Sequence, residues 1–375
     1  MPDQLTKLYV EITTACNLDC IMCIRRAWHE PIGTMPPSTF AALVDQLAAL
    51  PAPPTIHLSG FGEPMSHRHF LDFVRMAKAI GAKVEATTNG TLLDEEMANA
   101  LLDLDLDRLV VSLDGVSPAR FEEIRARASY EQVITNLLTL KRLRMQRTGR
   151  AGGRHANPQL AIAFVAMREN VADMDKLPRL ANQLGAWEIL VSNLVPHTAE
   201  LEQEILYSRS LTACAYRASR WVPALSLPKL DFNGDTAGPI QGVFNTTASV
   251  SMVGTSLSAH NDYCRFAQEG YAAVRWDGEV SPCLSLLHDH PEYIRHRRKD
   301  VTHHSFGNIN AQPIGEIWNS AAFATFRQDL RTFHFSPCTT CGGCERFPYN
   351  FEDCTGNGFP TCGGCLWAQG FVQCA

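Results

Sequence analysis

The stretch Cys16-Asn-Leu-Asp-Cys20-Ile-Met-Cys23 sets three cysteines in one short loop, directly after a predicted strand over residues 8–13. Thiolates are soft ligands that suit iron–sulfur clusters, zinc and Cu(I). This spacing lets the loop wrap three corners of a cubane cluster, and no fourth cysteine is near in the sequence. A structural zinc site is normally closed by four ligands. Three thiolates therefore favour a cluster with one open iron, against half a zinc site or three unrelated cysteines.

Outward from this loop, strand and helix signals alternate six times along the first half of the chain. Short apolar runs are separated by segments with apolar residues at helical spacing. Such alternation predicts right-handed crossovers and a parallel α/β sheet, either a curled partial barrel or an open doubly wound sheet. Ligands bind at the C-terminal ends of the strands in both arrangements. The predicted strands cover residues 8–13, 55–59, 83–88, 109–113, 160–166 and 187–191.

Three further motifs follow the ends of predicted strands. They are Gly60-Phe61-Gly62-Glu63-Pro64, Thr87-Thr88-Asn89-Gly90 and Ser112-Leu113-Asp114-Gly115. Glycines allow a second backbone or a ligand to approach closely, although each motif alone is also typical of an ordinary turn. Because the C-terminal ends of parallel strands share one edge of a sheet, we expect these motifs to meet the cysteine loop there.

The order of these motifs along the chain resembles that of the radical S-adenosylmethionine (SAM) superfamily. The resemblance rests on the CxxxCxxC loop after a first strand, on the flanking Thr13, Thr14 and Asn17-Leu18, and on the strand-end motifs. It implies a partial (β/α)6 barrel. It also implies a 4Fe–4S cluster whose open iron chelates the amine and carboxylate of SAM. One electron then cleaves the cofactor to a 5'-deoxyadenosyl radical, which abstracts hydrogen from a substrate.

The resemblance also implies which residues bind the cluster and SAM. Cys16, Cys20 and Cys23 would hold the cluster. Phe61 departs from the family's Gly-Gly-Glu-Pro motif, and Met22 stands where members often have an aromatic residue near the adenine. Arg125 would meet the SAM carboxylate, with a surface ion pair as the alternative. The predicted SAM contacts are Met22, Gly60, Gly62, Glu63, Thr88, Asn89, Ser112, Asp114, Arg125 and Asn193.

Nine of the 13 cysteines lie between Cys264 and Cys374. Tandem CxxC units are typical of zinc ribbons, but nine thiolates match two four-thiolate clusters with one spare. The spacing Cys264-x13-Gly278-x4-Cys283 resembles the SPASM extension of radical SAM enzymes, which carries up to two auxiliary 4Fe–4S clusters. We expect Cys264 and Cys283 to share one cluster, and Cys338, Cys341 and Cys344 to serve the other. Cys354, Cys362, Cys365 and Cys374 are further predicted ligands, whereas Cys214 is predicted to be a core thiol.

Segment 350–374 carries a narrower resemblance. Its runs Asp353-Cys354-Thr355-Gly356-Asn357 and Cys362-Gly-Gly-Cys365-Leu366-Trp367 are similar to those of maturases associated with tungsten-dependent aldehyde ferredoxin oxidoreductases. This resemblance implies a maturase that acts on a client peptide or protein and takes electrons from a donor such as ferredoxin or flavodoxin. The alternatives are radical modification of a small molecule, such as a pterin or sugar, and a non-catalytic iron–sulfur or zinc scaffold.

The composition is that of an ordinary globular protein, with 45% apolar residues and a net charge of -6. A weakly acidic chain gives no electrostatic case for nucleic-acid binding. Neither a signal peptide nor an apolar run of about 18 residues is visible, so we expect a cytoplasmic protein without membrane association. Dense cysteines in a reducing compartment indicate metal binding more than disulfides. The predicted domains are the barrel over 1–200, a bridge of unassigned fold over 201–262, and the SPASM domain over 263–375.

Overall fold

The computed structural model describes residues 4–152, 156–208, 263–333, 335–336, 338–339 and 344–374, together with short pieces within 224–256. Side chains of residues 148–152 are not described. Two cysteines with predicted roles, Cys214 and Cys341, lie outside the described residues.

Six parallel strands form the first part of the fold, each close to its predicted position. They pair with one another in chain order, which is the arrangement that right-handed helical crossovers produce. The predicted α/β class is therefore confirmed. The strands are β1 (Lys7–Val10), β2 (Thr55–Leu58), β3 (Val84–Thr88), β4 (Arg108–Ser112), β5 (Gln159–Ala166) and β6 (Glu188–Asn193).

Helices connect these strands and bury their apolar faces against the sheet in one large core. Asp94 caps α3 because its side chain accepts a hydrogen bond from the Met97 amide, and Gly185 ends α6 with a left-handed φ of 73°. Among the described residues, no helix is long and apolar enough to cross a membrane. The helices are α1 (Pro37–Ala48), α2 (Phe70–Ala79), α3 (Glu95–Asp103), α4 (Pro118–Ile124), α5 (Tyr130–Gly152) and α6 (Leu177–Leu184).

The C-terminal half contributes two strands to the same sheet. After a small sheet of β7 (Ala224–Leu227), β8 (Ser249–Met252) and β9 (Thr255–Ser256), helix α7 (Arg265–Glu269) leads into β10 (Tyr271–Val274). Strand β10 pairs in parallel with β1, and β11 (Val280–Ser281) pairs with β10 in the antiparallel sense. The hairpin of β12 (His290–Ile294) and β13 (Arg297–Val301) and helices α8 (Ile314–Asn319) and α9 (Ala321–Thr332) complete the described elements.

The last residues of the chain contact the opposite edge of the sheet, at the end of β6. The Asn193 side-chain amide donates to the Phe371 carbonyl at 2.8 Å, and the Gln373 amide donates to the Ser192 hydroxyl at 2.9 Å. The C-terminal part of the chain thus contacts both β1 and β6. This arrangement brings the cysteine-rich tail to the open side of the six-stranded unit.

An apolar cluster joins the cysteine loop to the tail. Ile21 and Met22 of the loop pack against buried residues from the ends of β5 and β6, from β12 and from the tail. The buried members include Leu194, Ile294 and Phe371. Burial of this much apolar surface favours a dry environment beside the cysteine loop.

Candidate active site

The cysteine loop follows β1 and ends in a single 3-10 turn over Ile24–Arg26. Cys16, Cys20 and Cys23 are all free thiols and all half-buried. The Cys23 amide donates to the Cys20 carbonyl at 3.1 Å, which closes the loop between the second and third cysteine. The three predicted ligands therefore share one compact turn at the C-terminal end of a parallel strand, where ligands bind in such folds.

Burial keeps two thiols of this loop, Cys20 and Cys23, protonated when no metal is bound. Burial raises the pKa of Cys20 to about 11, and nearby Arg125 lowers it, while charges on Cys23 and Cys16 raise it. Burial also raises the pKa of Cys23. Cluster ligands must be thiolates. The loop therefore needs positive charge nearby, from iron and from a protein cation, to hold three thiolates together.

Arg125 is that protein cation. Its Nη1 lies 3.9 Å from the Cys20 sulfur, and its Nη2 lies 2.6 Å from Oδ2 of Asp114, whose side chain is fully buried. Burial lowers the pKa of Arg125, but Asp114 and the neighbouring thiols raise it by more, so the guanidinium stays charged. Among the described residues its Nε has no hydrogen-bond partner. This leaves a buried donor suited to an anionic ligand group, and the predicted contact with the SAM carboxylate stays a prediction.

The Gly60–Pro64 motif lies directly against the cysteine loop. The Glu63 amide donates to the Ala15 carbonyl at 2.8 Å. A β-carbon at Gly62 would lie 2.6 Å from that carbonyl oxygen and closer still to that of Thr13. Such contacts are shorter than van der Waals packing allows, so only glycine permits this approach. Gly62 therefore keeps the end of β2 in contact with the cysteine loop.

Glu63 fixes the ends of β2 and β3 to each other. Its buried carboxylate accepts from the Thr88 hydroxyl at 2.8 Å, from the Asn89 amide at 2.7 Å and from the Met65 amide at 3.0 Å. Burial raises the pKa of Glu63, and these three bonds oppose that rise. Three predicted SAM contacts, Glu63, Thr88 and Asn89, are thus brought together.

Asn89 also connects this network to the cysteine loop. Its side-chain nitrogen lies 2.9 Å from the side-chain oxygen of Asn17 and 3.9 Å from the Cys16 sulfur. Asn17 in turn donates to the Thr91 hydroxyl at 2.7 Å. Asn17 and Thr91 were not among the predicted site residues, and the Asn17-Leu18 pair beside Cys16 was the signal that could have indicated the first.

Three other predicted SAM contacts, Ser112, Met22 and Asn193, lie in different surroundings. Ser112 is half-buried at the end of β4, opposite Ala163 of β5. Met22 packs in the apolar cluster beside the loop. Asn193 lies at the end of β6, where its side-chain amide donates to the tail. Their contact with SAM stays a prediction.

A buried histidine between two carboxylates was missed by the sequence reasoning. His288 Nε2 lies 2.6 Å from Glu11 Oε1, and its Nδ1 lies 2.7 Å from Glu30 Oε2. Glu11 follows β1, Glu30 follows the cysteine loop, and the other Glu11 oxygen accepts from the Phe61 amide at 2.9 Å. Ionised carboxylates only accept hydrogen bonds. Both ring nitrogens therefore donate, and the imidazolium joins the C-terminal half of the chain to the cysteine loop.

Phe61, which departs from the family's motif, packs beside this charged trio. Its ring lies 5.7 Å, centroid to centroid, from both the His288 imidazole and the Trp28 indole. Trp28 lies 4.4 Å from the same imidazole. The His288 imidazole is therefore packed against two aromatic rings, which shield it from water and strengthen its electrostatic interactions.

The histidine predicts a specific dependence of stability on pH. Burial lowers the pKa of His288, but its bonds to Glu11 and Glu30 raise it by more, so its net pKa is raised. The stabilisation is fully present below the ordinary histidine pKa of about 6.5 and is lost as pH rises through the raised value. We expect His288→Gln to lower the thermal unfolding temperature more at about pH 6 than at about pH 9. An equal loss at both values would show that His288 is not a charged link.

Five cysteines of the tail line one cavity of about 520 Å³. Tyr9 of β1 and Leu190 of β6 also line it, so it lies between the two edges of the six-stranded unit. Among the described residues, no three His, Cys, Asp or Glu side chains gather tightly enough to hold a single metal ion. The five thiols instead surround a volume that can take a larger group. They belong to Cys264, Cys283, Cys362, Cys365 and Cys374.

The thiols of this group influence one another electrostatically. Burial raises the pKa of all five thiols, and a charge on Cys365 raises the pKa of each of the other four further. Cys264 and Cys283 line the same cavity, and that they share one cluster stays a prediction. Cys362, Cys365 and Cys374, which the sequence did not assign to either tail cluster, line the same cavity.

Two of the other tail cysteines, Cys338 and Cys354, lie beside Ser336. The Cys338 amide donates to the Ser336 carbonyl at 2.8 Å, and the Ser336 hydroxyl lies 3.1 Å from the Cys354 sulfur. Cys344 is held nearby in sequence, where its sulfur accepts from the Arg346 amide at 3.3 Å. A β-carbon at Gly364 would lie 3.4 Å from that of Cys338, so the last CxxC unit borders both groups.

These two groups predict how iron is distributed. If Cys365 is a ligand of one of three 4Fe–4S clusters, Cys365→Ala should remove roughly a third of the iron of the anaerobically reconstituted protein. Iron and sulfide assays measure this directly. Cys214→Ala is the matched control, since Cys214 is the one cysteine predicted not to bind iron, and it should keep the full content. Unchanged iron in Cys365→Ala would show that Cys365 is not required, either because it does not bind iron or because the fifth thiol of the cavity replaces it.

Comparison with known proteins identifies the family. The radical SAM superfamily model matches residues 10–157, and the SPASM iron–sulfur cluster-binding domain model matches residues 264–345. A tungsten-containing aldehyde ferredoxin oxidoreductase cofactor-modifying protein of Pyrococcus furiosus is 31% identical over 98% of this chain and 96% of its own. The chain belongs to the radical SAM superfamily and carries a SPASM domain. It is accordingly an α/β enzyme of this superfamily, with 4Fe–4S clusters and SAM as cofactors.

Two further radical SAM proteins extend the comparison. A PqqA peptide cyclase of Gluconobacter oxydans is 24% identical over 92% of this chain and 85% of its own. The solved structure of Streptococcus suis SuiB bound to precursor peptide SuiA has a TM-score of 0.57 and 14% identity, covering 90% of this chain and 69% of that one. The latter likeness concerns the fold alone.

The residues of this chain fit those cofactors. Cys16, Cys20 and Cys23 form an open three-thiol set, and the buried Nε of Arg125 is an unused donor beside it. The five-thiol cavity has enough thiolates for a complete four-ligand cluster, with one thiol over.

Proposed function

We propose that this radical SAM enzyme matures a tungsten-dependent oxidoreductase by abstracting hydrogen from a client peptide or protein. One observation carries this proposal. The similarity to the Pyrococcus furiosus cofactor-modifying protein covers 98% of the chain, and therefore includes the tail beyond residue 345, where the SPASM model match ends. Cys362, Cys365 and Cys374 of the five-thiol cavity all come from that tail.

The protein's own residues have defined tasks in this reaction. The chemistry that the cluster and SAM supply when bound is one-electron cleavage of the sulfonium to a 5'-deoxyadenosyl radical. Arg125 offsets negative charge at Cys20, and Glu63 keeps the ends of β2 and β3 against the cysteine loop. The apolar cluster around Met22 excludes water and so protects a carbon radical from stray hydrogen donors.

A second candidate client is the cofactor of the oxidoreductase, a small molecule such as a pterin. The relative of Pyrococcus furiosus is described as cofactor-modifying, which favours this client. The peptide cyclase of Gluconobacter oxydans favours a polypeptide client. Both candidates use the same radical and differ only in the molecule that loses hydrogen.

One experiment separates the two candidates. The reconstituted enzyme is incubated anaerobically with SAM, the tungsten-free oxidoreductase polypeptide and its separately supplied cofactor. Ferredoxin or flavodoxin, supplied in the reduced form, serves as the electron donor. We expect 5'-deoxyadenosine to form together with a mass change in one peptide of the polypeptide. A mass change confined to the cofactor would favour the second candidate.

Two other outcomes would contradict the proposal. Deoxyadenosine without a mass change in either molecule would mean that the client is not this oxidoreductase. Zinc in place of iron, with no deoxyadenosine, would favour a non-catalytic scaffold. The Cys20→Ala variant is the control, since it retains the tail and the fold but lacks one ligand of the first cluster.

A further inference from the structure

A second cavity of about 790 Å³ lies beside the cysteine loop, apart from the predicted SAM contacts and the five-thiol cavity. Three segments form it: residues 26–31 after the loop, residues 197–200 after β6, and the hairpin of β12 and β13 with its flanks. We call it the hairpin groove. Arg26 is only three residues from Cys23, a distance of at most about 11 Å along the chain, and its amide donates to the Cys23 carbonyl at 3.0 Å. The hairpin groove is therefore adjacent to the cysteine loop.

The floor of the groove contains two buried histidines, His197 and His290. His197 is only 7% exposed, and its Nδ1 lies 2.9 Å from the Pro291 carbonyl oxygen. A carbonyl can only accept a hydrogen bond, so the proton of His197 resides on Nδ1. A second bond, from the Tyr293 amide to the Pro196 carbonyl at 2.8 Å, holds this wall against β12. The orientation and tautomer of His197 are thus both fixed.

The other ring nitrogen of His197 is left as an acceptor. Burial, together with neighbouring His290, lowers the pKa of His197 to about 4, so the ring is neutral at physiological pH. In a neutral imidazole with its proton on Nδ1, Nε2 carries a lone pair. Within the part of the chain that the structure describes, no residue donates a hydrogen bond to this nitrogen. His197 keeps a small exposed surface in the groove, so a donor on a bound ligand can reach this nitrogen.

Most charged groups that line the groove have a partner of opposite charge, inside the groove or beside it. Glu30 is bound to His288, Asp289 to His303 at 2.8 Å, and Asp300 to Arg298 at 2.8 Å. The groove therefore has little net charge to attract a strongly ionic ligand. What it offers is a fixed acceptor on its floor and aromatic walls from Trp28 and Tyr293.

The shape of the groove favours a polypeptide over a small molecule. Sites for small ligands bury most of the ligand surface. Here the buried floor is surrounded by exposed residues on every side: Arg26, His29 and Pro31 from the first segment, Glu200 from the second, and Asp289 and Arg298 from the third. An open groove with a broad polar rim can take one loop of a folded protein while the rim contacts the surrounding surface.

We propose that the hairpin groove binds a loop of the protein client, and that His197 Nε2 accepts a hydrogen bond from an amide or hydroxyl of that loop. This inference rests on the proposed function, because it requires a polypeptide client. It identifies His197 as a specificity residue next to the cluster loop, outside the five-thiol cavity and the SAM contacts.

The test compares His197→Phe with His197→Gln. Phenylalanine keeps a ring but removes both the acceptor and the Nδ1–H that donates to the Pro291 carbonyl, whereas the glutamine amide supplies both a donor and an acceptor. The probe is the tungsten-free oxidoreductase polypeptide, and its Kd for the reconstituted enzyme is measured anaerobically. We expect His197→Phe to weaken binding on the order of tenfold, the usual cost of leaving one buried polar group unpaired, and His197→Gln to recover part of the loss. His69→Phe, on a partly exposed histidine that does not line the groove, should bind as the wild type does.

The outcomes distinguish this inference from the proposed function. If the wild type binds and modifies the polypeptide and His197→Phe binds it equally well, the groove assignment is wrong while the proposed function stands. Equal weakening by phenylalanine and glutamine, with normal iron content and unfolding temperature, would also reject the acceptor role. If the wild type binds only the free cofactor, both the polypeptide client and the groove assignment are rejected.

Discussion

Replacement of Cys20 by alanine is expected to abolish formation of 5'-deoxyadenosine from SAM. Mutation of a residue that only hydrogen-bonds to a metal ligand typically costs about 10- to 100-fold in metal affinity or activity. Cys20 is predicted to bind the cluster directly, so its loss should cost more. The loop offers no replacement thiolate, because within the described residues the other cysteines belong to the tail. A further consequence is that Arg125, 3.9 Å from the Cys20 sulfur, would lose one of its two anionic neighbours.

The measurement is quantification of deoxyadenosine after anaerobic reconstitution with a chemical reductant, with no client added. Cys214→Ala is the matched control and should retain cleavage. Activity of Cys20→Ala equal to that of the wild type would exclude Cys20 as a ligand of the cluster that cleaves SAM. It would also remove the reason for a charged Arg125 at this position.

The second large effect is expected from Asp114→Asn. This substitution keeps an oxygen that can accept from the Val165 amide, a bond of 2.7 Å in the wild type. It removes the charge that balances the buried Arg125 at 2.6 Å. Removal of one partner of a buried ion pair typically costs about 3–5 kcal/mol, because the other charge is left uncompensated. We therefore expect a clear fall in the unfolding temperature of the anaerobic enzyme.

An exposed pair of the same kind gives the control. Asp72 lies 2.7 Å from Arg75 on helix α2, and both side chains are more than half exposed. Exposed ion pairs contribute little to stability because water and salt screen them. Asp72→Asn should therefore leave the unfolding temperature almost unchanged. If Asp114→Asn were equally harmless, Arg125 would not depend on Asp114 for its burial.

The strands and the cysteine loop could be predicted from the sequence because their signals are local. Six apolar runs gave six strands within a few residues of their observed bounds, and Asp94 indicated the start of α3 through its capping position. The contact of the Gly60–Pro64 motif with the cysteine loop also followed, since parallel strands that are neighbours end at the same edge.

Contacts between distant parts of the chain could not be predicted in this way. Residues 271–274 form a short strand whose sequence carries no signal that it pairs with β1, more than 260 positions earlier. The His288 link to Glu11 and Glu30 depends on that pairing. The grouping of Cys362, Cys365 and Cys374 with Cys264 depends on the path of the tail past β6. Such positions are set by tertiary packing and not by spacing.

Some predicted residues acquired a second role once their surroundings were known. Glu63 was predicted as a SAM contact from its motif, and its carboxylate accepts three protein hydrogen bonds. Asn193 was predicted for its position after the sixth strand, and its side-chain amide binds the tail. A sequence motif indicates that a residue belongs to a site. Only the atoms around the residue show whether its side chain also holds other parts of the protein in place.

The most direct measurement is anaerobic reconstitution of the wild-type chain with iron and sulfide, followed by incubation with SAM and a reductant. Reconstituted protein should contain clusters in both the cysteine loop and the tail, and it should form 5'-deoxyadenosine even without a client. Cys20→Ala should keep the tail iron and form none. Iron-loaded wild-type protein that leaves SAM intact under these conditions would contradict the assignment of Cys16, Cys20 and Cys23 as the site where the reaction begins.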